Sequence, residues 1–141
     1  MIQQEQIMPL LLTACPGFGR LWADHLAYWN GKPAGIFLDT AEFVHYLADC
    51  HERNDITALT AAFQLIERFF VEGEENTKEV AAMGILETLQ NVASHQPEGA
   101  APYLSYLGPR SRTAWDAINA LWEGKQNLAD VIRSERSRDQ S

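Results

Sequence analysis

The chain has 141 residues, 46% of them hydrophobic and 21% charged, with a formal net charge of −8. This is the size of one domain with a real core, and the composition excludes wholesale disorder. Residues 1–124 hold 7 basic and 16 acidic side chains, net −9, and residues 125–141 hold 4 and 3, net +1. So acidic a body lacks the Lys and Arg excess that nucleic acid or an anionic membrane requires; it would steer a basic protein partner, or it simply keeps the chain in solution.

Helical spacing runs through the chain, and strand alternation appears nowhere. The first segment, Gln3 to Ala14, carries Pro9, which kinks it or marks its true start. After "CPGFG", Phe18, Leu21, Trp22, Leu26 and Trp29 recur at three- and four-residue steps, one face of a helix. "NGKPAGIFLD" reads as a loop ending in an N-cap, Asp39, with Glu42 three residues on. That spacing predicts a helix over 40–53 that buries Phe43, Tyr46, Leu47 and Cys50 and exposes Glu42, His45, Asp49 and Glu52.

Asp55 is placed to cap a second long helix to Glu72, with Ile56, Leu59, Phe63, Ile66 and Phe70 as its apolar seam. "EGEEN" makes a turn, and Asn76 with Glu79 repeats the capping logic for a helix over 77–94. A short helix over 101–107 follows "HQPEGA", and Pro109 suits the first turn of the last helix, to about Glu123. That helix is expected to bury Trp115, Ile118, Leu121 and Trp122, and all four tryptophans read as core. Gly124 then ends the domain, and residues 125–141 form a polar tail with one turn around Leu128 to Ile132 before fraying. The fold class is all-α: a single domain over 1–124, built as an antiparallel array or bundle or as solenoid-like helical hairpins.

Cys15 and Cys50 are too few for a disulfide framework and too far apart for a Cys-x-x-Cys metal pair. With no 18-residue apolar run and no basic start to the N-terminal segment, a cytoplasmic location with reduced thiols is expected. No Gly-rich phosphate loop, Gly-x-Ser-x-Gly or His-Glu-x-x-His is present, so no catalytic residue, metal ligand or cofactor is assigned.

Three constellations stand out. "GILETLQNVASH" puts Glu87 and Asn91 at the border of an amphipathic helix, where a polar lock between helices accounts for them better than catalysis with His95 does. Glu42-x-x-His45 has the spacing of a di-iron motif, but no second such motif exists to complete the site. It joins Asp49 and Glu52 in an acidic stripe instead. Glu72, Glu74 and Glu75 extend the acidity just before a helix N-terminus, whose dipole they complement. His25 beside Asp24 reads as incidental, because adjacent helical residues diverge.

The segments "HLAYWNGKPAGIFLD", "GILETLQNVASHQP" and "YLGPRSRTAWDAINALW", spread over most of residues 25–122, resemble an uncharacterised family of small helical bacterial proteins. Such proteins are similar to the immunity proteins encoded beside polymorphic or contact-delivered toxins. The resemblance implies a non-catalytic protein that binds one cognate toxin domain. It also implies Gly108–Pro109 as a helix restart and Glu87 with Asn91 as the polar lock. Many delivered toxins are nucleases with basic surfaces, so Glu42, Asp49, Glu52, Glu72, Glu74 and Glu75 are the expected contact residues. A helical adaptor is the second reading, and an enzyme acting through Glu87 and His95 is a distant third. A homodimer is compatible with any of them.

Overall fold

The computed structural model describes residues 1–139, and residues 140 and 141 of the expected tail lie outside them. The protein is all-α. Among the described residues the only β pairing is one isolated bridge between Ile2 and Gly73.

A 3-10 turn, Gln4–Gln6, leads into α1, Ile7–Ala14. Pro9 is the third residue of α1, where a missing N–H costs nothing because first-turn donors have no partner within the helix. A second 3-10 turn, Pro16–Phe18, opens α2, Gly19–Tyr28.

Helix α3 spans Ile36–Glu52 and starts four residues earlier than the capping-box spacing predicts. Its N-cap is Gly35, at φ 114°, a backbone conformation that glycine adopts without strain. Asp39 therefore lies in the first turn of α3 and not at its cap, and its side chain is buried. Helix α4, Ile56–Glu72, starts as expected: the Asp55 carboxylate accepts the Ala58 N–H at 3.1 Å. Its buried residues are Leu59, Ala62, Phe63, Leu65, Ile66 and Phe69, and Ile56 is exposed where the seam placed it inside.

The N-terminus is tied down at the next corner. Ile2 donates its N–H to the Glu72 carbonyl at 2.8 Å, and the Ile2 carbonyl accepts from the Glu74 N–H and the Thr77 hydroxyl, each at 2.9 Å. Helix α5, Glu75–Glu79, begins after Glu74, so Asn76 is inside it and does not cap it. Thr77, the expected first residue, is buried against Ile2. The chain continues as a π-helical segment, Val80–Glu87, and then as α6, Thr88–Ser94. The widened segment packs on α3 at Gly84, where a Cβ would lie 2.7 Å from the Thr40 hydroxyl oxygen. Periodicity at 3.6 residues does not announce such a π segment.

After a 3-10 helix, Ala101–Tyr106, Pro109 opens α7, which runs unbroken to Asp139. Gly124 does not stop it, and the expected 125–141 tail continues the same helix as far as it is described. A mid-helix glycine costs only about 1 kcal/mol, and no proline follows to enforce an end. Leu121 and Trp122 are exposed, contrary to expectation; Trp122 only borders α6, in a cavity shared with Gln90, Asn91 and Ser94, and is not enclosed by the core. Of the four tryptophans only Trp115 is buried; Trp22 is half-buried and Trp29 is exposed.

The core is one cluster. It runs from Ile7, Leu11 and Phe18 through Phe43, Leu47, Phe63 and Ile66 to Ile85, Leu89 and Trp115. Phe18 meets the Phe43 ring edge-on at 5.1 Å, which holds the start of α2 onto α3.

Candidate functional site: an acidic, aromatic groove between α2 and α3

Helices α2 and α3 lie antiparallel, because residues near Gly17 face Tyr46 to Arg53 and residues near Tyr28 face Leu38 to His45. The groove between them has an upper cavity of about 390 Å³, lined by Asp24, His25, Tyr28, Trp29, Leu38 and Glu42 among others. A lower cavity of about 340 Å³ is lined by Arg20, Leu21, Tyr46, Asp49, Glu52 and Arg53.

His25 forms the floor of the upper cavity and is only 9% exposed. Its Nε2 lies 2.8 Å from Asp39 Oδ1, and its Nδ1 lies 3.9 Å from Glu42 Oε2. Asp39 also accepts the Ala34 N–H at 3.0 Å, so one buried carboxylate ties α2 and the 29–35 loop to α3. Both ring nitrogens face carboxylates, and among the described residues no hydroxyl or thiol bonds to the ring. The arrangement is a clamp that sets the shape of the groove. The sequence reading missed it, although a signal was there. At 100° per residue His25 falls in the middle of the apolar arc of Phe18, Leu21 and Trp22, and a polar side chain in that position needs a buried partner.

Above the clamp the surface is apolar and aromatic. Tyr28 is 79% exposed, Leu38 51% and Trp29 40%, and the Tyr28 and Trp29 rings meet edge-on at 5.2 Å. Asp24 beside them, and Asp49 and Glu52 in the lower cavity, are exposed, and among the described residues their carboxylates form no ion pair. Glu42 is half-buried beside His25.

The structure divides the six expected contact residues. Glu42, Asp49 and Glu52 line the groove. Glu72, Glu74 and Glu75 lie at the α4–α5 corner beside Ile2, and none of them lines either groove cavity. Glu72 is held 2.7 Å from Arg68, whose hydrogen bond keeps its carboxyl below the usual range, and Glu75 pairs with Lys78 at 3.5 Å.

The expected polar lock also moves. Glu87 is half-buried and Asn91 exposed, and neither side chain forms a hydrogen bond or ion pair among the described residues. Between these helices the lock is Gln90, whose Nε2 donates to the Trp115 carbonyl at 3.1 Å while its buried Oε1 stays unpaired. No hydrogen bond joins Glu87 to His95 among the described residues. No group of three or more His, Cys, Asp or Glu side chains among them is placed to hold a metal ion. Nor is any helix among them long and apolar enough to cross a membrane.

Residues 8–123 match the family described as a domain of unknown function, DUF7674. The chain belongs to this family. The DUF7674 match covers the groove, the clamp and the first half of α7, and it ends where α7 has left the body. Comparison with curated proteins and with solved structures returned no significant match.

Proposed function

We propose that this DUF7674 protein is a non-catalytic inhibitor of the immunity type, which binds a basic bacterial toxin domain in the cytoplasm through the α2–α3 groove. One observation carries the reading: exposed Tyr28, Trp29 and Leu38 share a cavity with the carboxylates of Asp24 and Glu42, and Asp49 and Glu52 line the next cavity along the same groove. Aromatic anchors supply most of the energy at protein interfaces, and a rim of one charge speeds encounter with a partner of the other. The net charge of −8 extends that steering field over the whole molecule. The sequence resemblance to immunity proteins supports the same partner class.

The test expresses the C-terminal domain of the open reading frame immediately upstream, with and without this chain, and scores viability. Rescue supports the reading, and toxicity without rescue overturns it. A neighbour that is not toxic moves the assignment to an adaptor. With a rescued partner in hand, Asp24→Lys, Asp49→Lys and Glu52→Lys together are expected to slow association by about tenfold or more and to flatten its salt dependence. Trp29→Ala is expected to speed dissociation, at a cost of about 2 kcal/mol. Reversal of Glu72, Glu74 and Glu75 should have the smaller effect. A larger effect from that second triple would move the interface to the α4–α5 corner.

A further inference from the structure

Helix α1, α2 and the start of α3 form an open cavity of about 370 Å³ that shares no lining residue with the α2–α3 groove. Its walls are apolar: Met8, Leu12, Trp22, Pro33 and Ile36. Asp39, 3% exposed, lines it from the first turn of α3, and Gln4 and Glu5 line it from the N-terminal 3-10 turn. The His25–Asp39 clamp stands between this cavity and the groove, since Asp39 lines the one and His25 the other.

The clamp occupies only half of the Asp39 carboxylate. Oδ1 takes both the His25 ring nitrogen and the Ala34 N–H, at 2.8 and 3.0 Å. Oδ2 accepts no hydrogen bond among the described residues. The side-chain atom sealed from solvent without a partner among them is Gln90 Oε1, so Asp39 Oδ2 stays open to solvent, at the cavity that Asp39 lines. A carboxylate oxygen in so apolar a setting gains more from a charged donor than it would in water, because its surroundings screen charge poorly. No Lys, Arg or His side chain lines the cavity among the described residues. Lys32, the neighbour of Pro33, is exposed and forms no ion pair among them. The cavity has a negative end, apolar walls and no cation of its own.

We propose that it binds a primary ammonium carried on a compact apolar stem, with the ammonium on Asp39 Oδ2 and the stem against Met8, Leu12 and Ile36. One free oxygen suits the point charge of an ammonium, whereas the guanidinium fork needs two parallel acceptors. The other ammonium donors have Glu5 and Gln4 as acceptors on the same lining. A tryptophan in the wall adds attraction for a cation. The volume is at the low end for small-molecule sites, which keeps the ligand small. A free aliphatic amine and a lysine side chain present this chemistry alike. The site stands apart from the toxin-binding reading, because it lies across the clamp from the groove and needs no partner there.

Heteronuclear NMR titration of the full chain tests this with three probes: n-hexylamine, Nα-acetyl-lysine methylamide and hexyltrimethylammonium. The amines should shift the Trp22 indole N–H, assigned by its loss in Trp22→Phe, with a dissociation constant of about 1 mM or tighter. The buried Trp115 indole should not move. Hexyltrimethylammonium has the same charge but no N–H to donate, and should bind at least about tenfold more weakly. Glu5→Lys sets a competing ammonium at an exposed edge of the cavity and should weaken hexylamine about tenfold. Asp39→Asn keeps an oxygen for the Ala34 N–H but removes the charge, and should abolish binding in a chain that circular dichroism shows to be folded. If that variant does not fold, Glu5→Lys still decides. Tighter binding of the lysine derivative assigns the site to a lysine of a partner chain, and tighter binding of hexylamine assigns it to a free amine. No shift of Trp22 with either amine up to about 20 mM, equal binding of hexyltrimethylammonium, or indifference to Glu5→Lys overturns the proposal.

Discussion

Glu67 of α4 caps the first turn of α7 through Ser111, 44 residues later in the chain. The carboxylate accepts the Ser111 N–H at 2.8 Å, the Ser111 hydroxyl at 2.9 Å and the Arg110 N–H at 3.0 Å. Gly108 makes the approach possible, since a Cβ there would sit 2.6 Å from the Glu67 carboxyl carbon. A helix start is thus satisfied from another helix, and the same contact fixes α7 on the body.

Burial opposes the charged form of Glu67, but the hydrogen bonds from Ser111 and Arg110 outweigh it and hold the carboxyl below its ordinary range. The stability it contributes is complete above the unfolded value, about pH 4.3, and is lost as pH falls through the lower folded value. Glu67→Ala should cost about 1–3 kcal/mol in urea unfolding at pH 7, with the m-value unchanged. The difference from wild type should narrow as the pH drops below about 4. A difference that widens toward acid would contradict the capping role.

The His25–Asp39 clamp should behave as a coupled buried pair. Asp39→Ala strands both the imidazole and the Ala34 N–H, at an expected cost of about 3 kcal/mol. Combining it with His25→Leu should recover part of that loss, because the double variant leaves no buried imidazole without its carboxylate. Chemical denaturation of the four proteins of the cycle reads the coupling, and strict additivity would show that the pair acts as two independent residues.

On α6 the polar contact to α7 belongs to Gln90. Glu87→Ala and Asn91→Ala should each change stability by no more than about 0.5 kcal/mol, as surface substitutions do. Gln90→Ala should cost about 1–2 kcal/mol, since it removes the bond to the Trp115 carbonyl and opens space beside a buried ring. Thermal melts rank the three, and a loss at Glu87 equal to that at Gln90 would restore the lock to Glu87.

The two thiols should be inert in the folded protein. Burial, aided by the nearby Cys50 and Asp55, pushes Cys15 up to about 11, and burial also raises Cys50 despite the Tyr46 hydrogen bond and the Arg53 charge. At pH 8 the folded chain should react with an aromatic disulfide reagent on the order of 100-fold more slowly than the unfolded chain. Rapid labelling of a native thiol would show that its helices open locally.

Local sequence determined the class and much of the outline. Apolar steps of three and four announce α2, α3, α4 and α7, Asp55 caps α4 through its own Ala58, and Pro109 opens α7, because each signal acts within one or two turns. The acidity of the α3 face is equally legible. What tertiary structure decided are the relations between segments. Asp39 has the spacing of a cap, yet Gly35 starts the helix and Asp39 turns inward to His25, because a buried imidazole offers it a partner that lies 14 residues away in sequence. Gly84 lets a π-helical segment pass against Thr40, and a helical period computed from that segment alone cannot register the neighbour. Trp29 and Trp122 share the apolar spacing of Trp115, but only Trp115 finds a body to bury it. Hydrophobic periodicity says which face of a helix seeks cover, and only the arrangement of the other helices decides where that cover runs out.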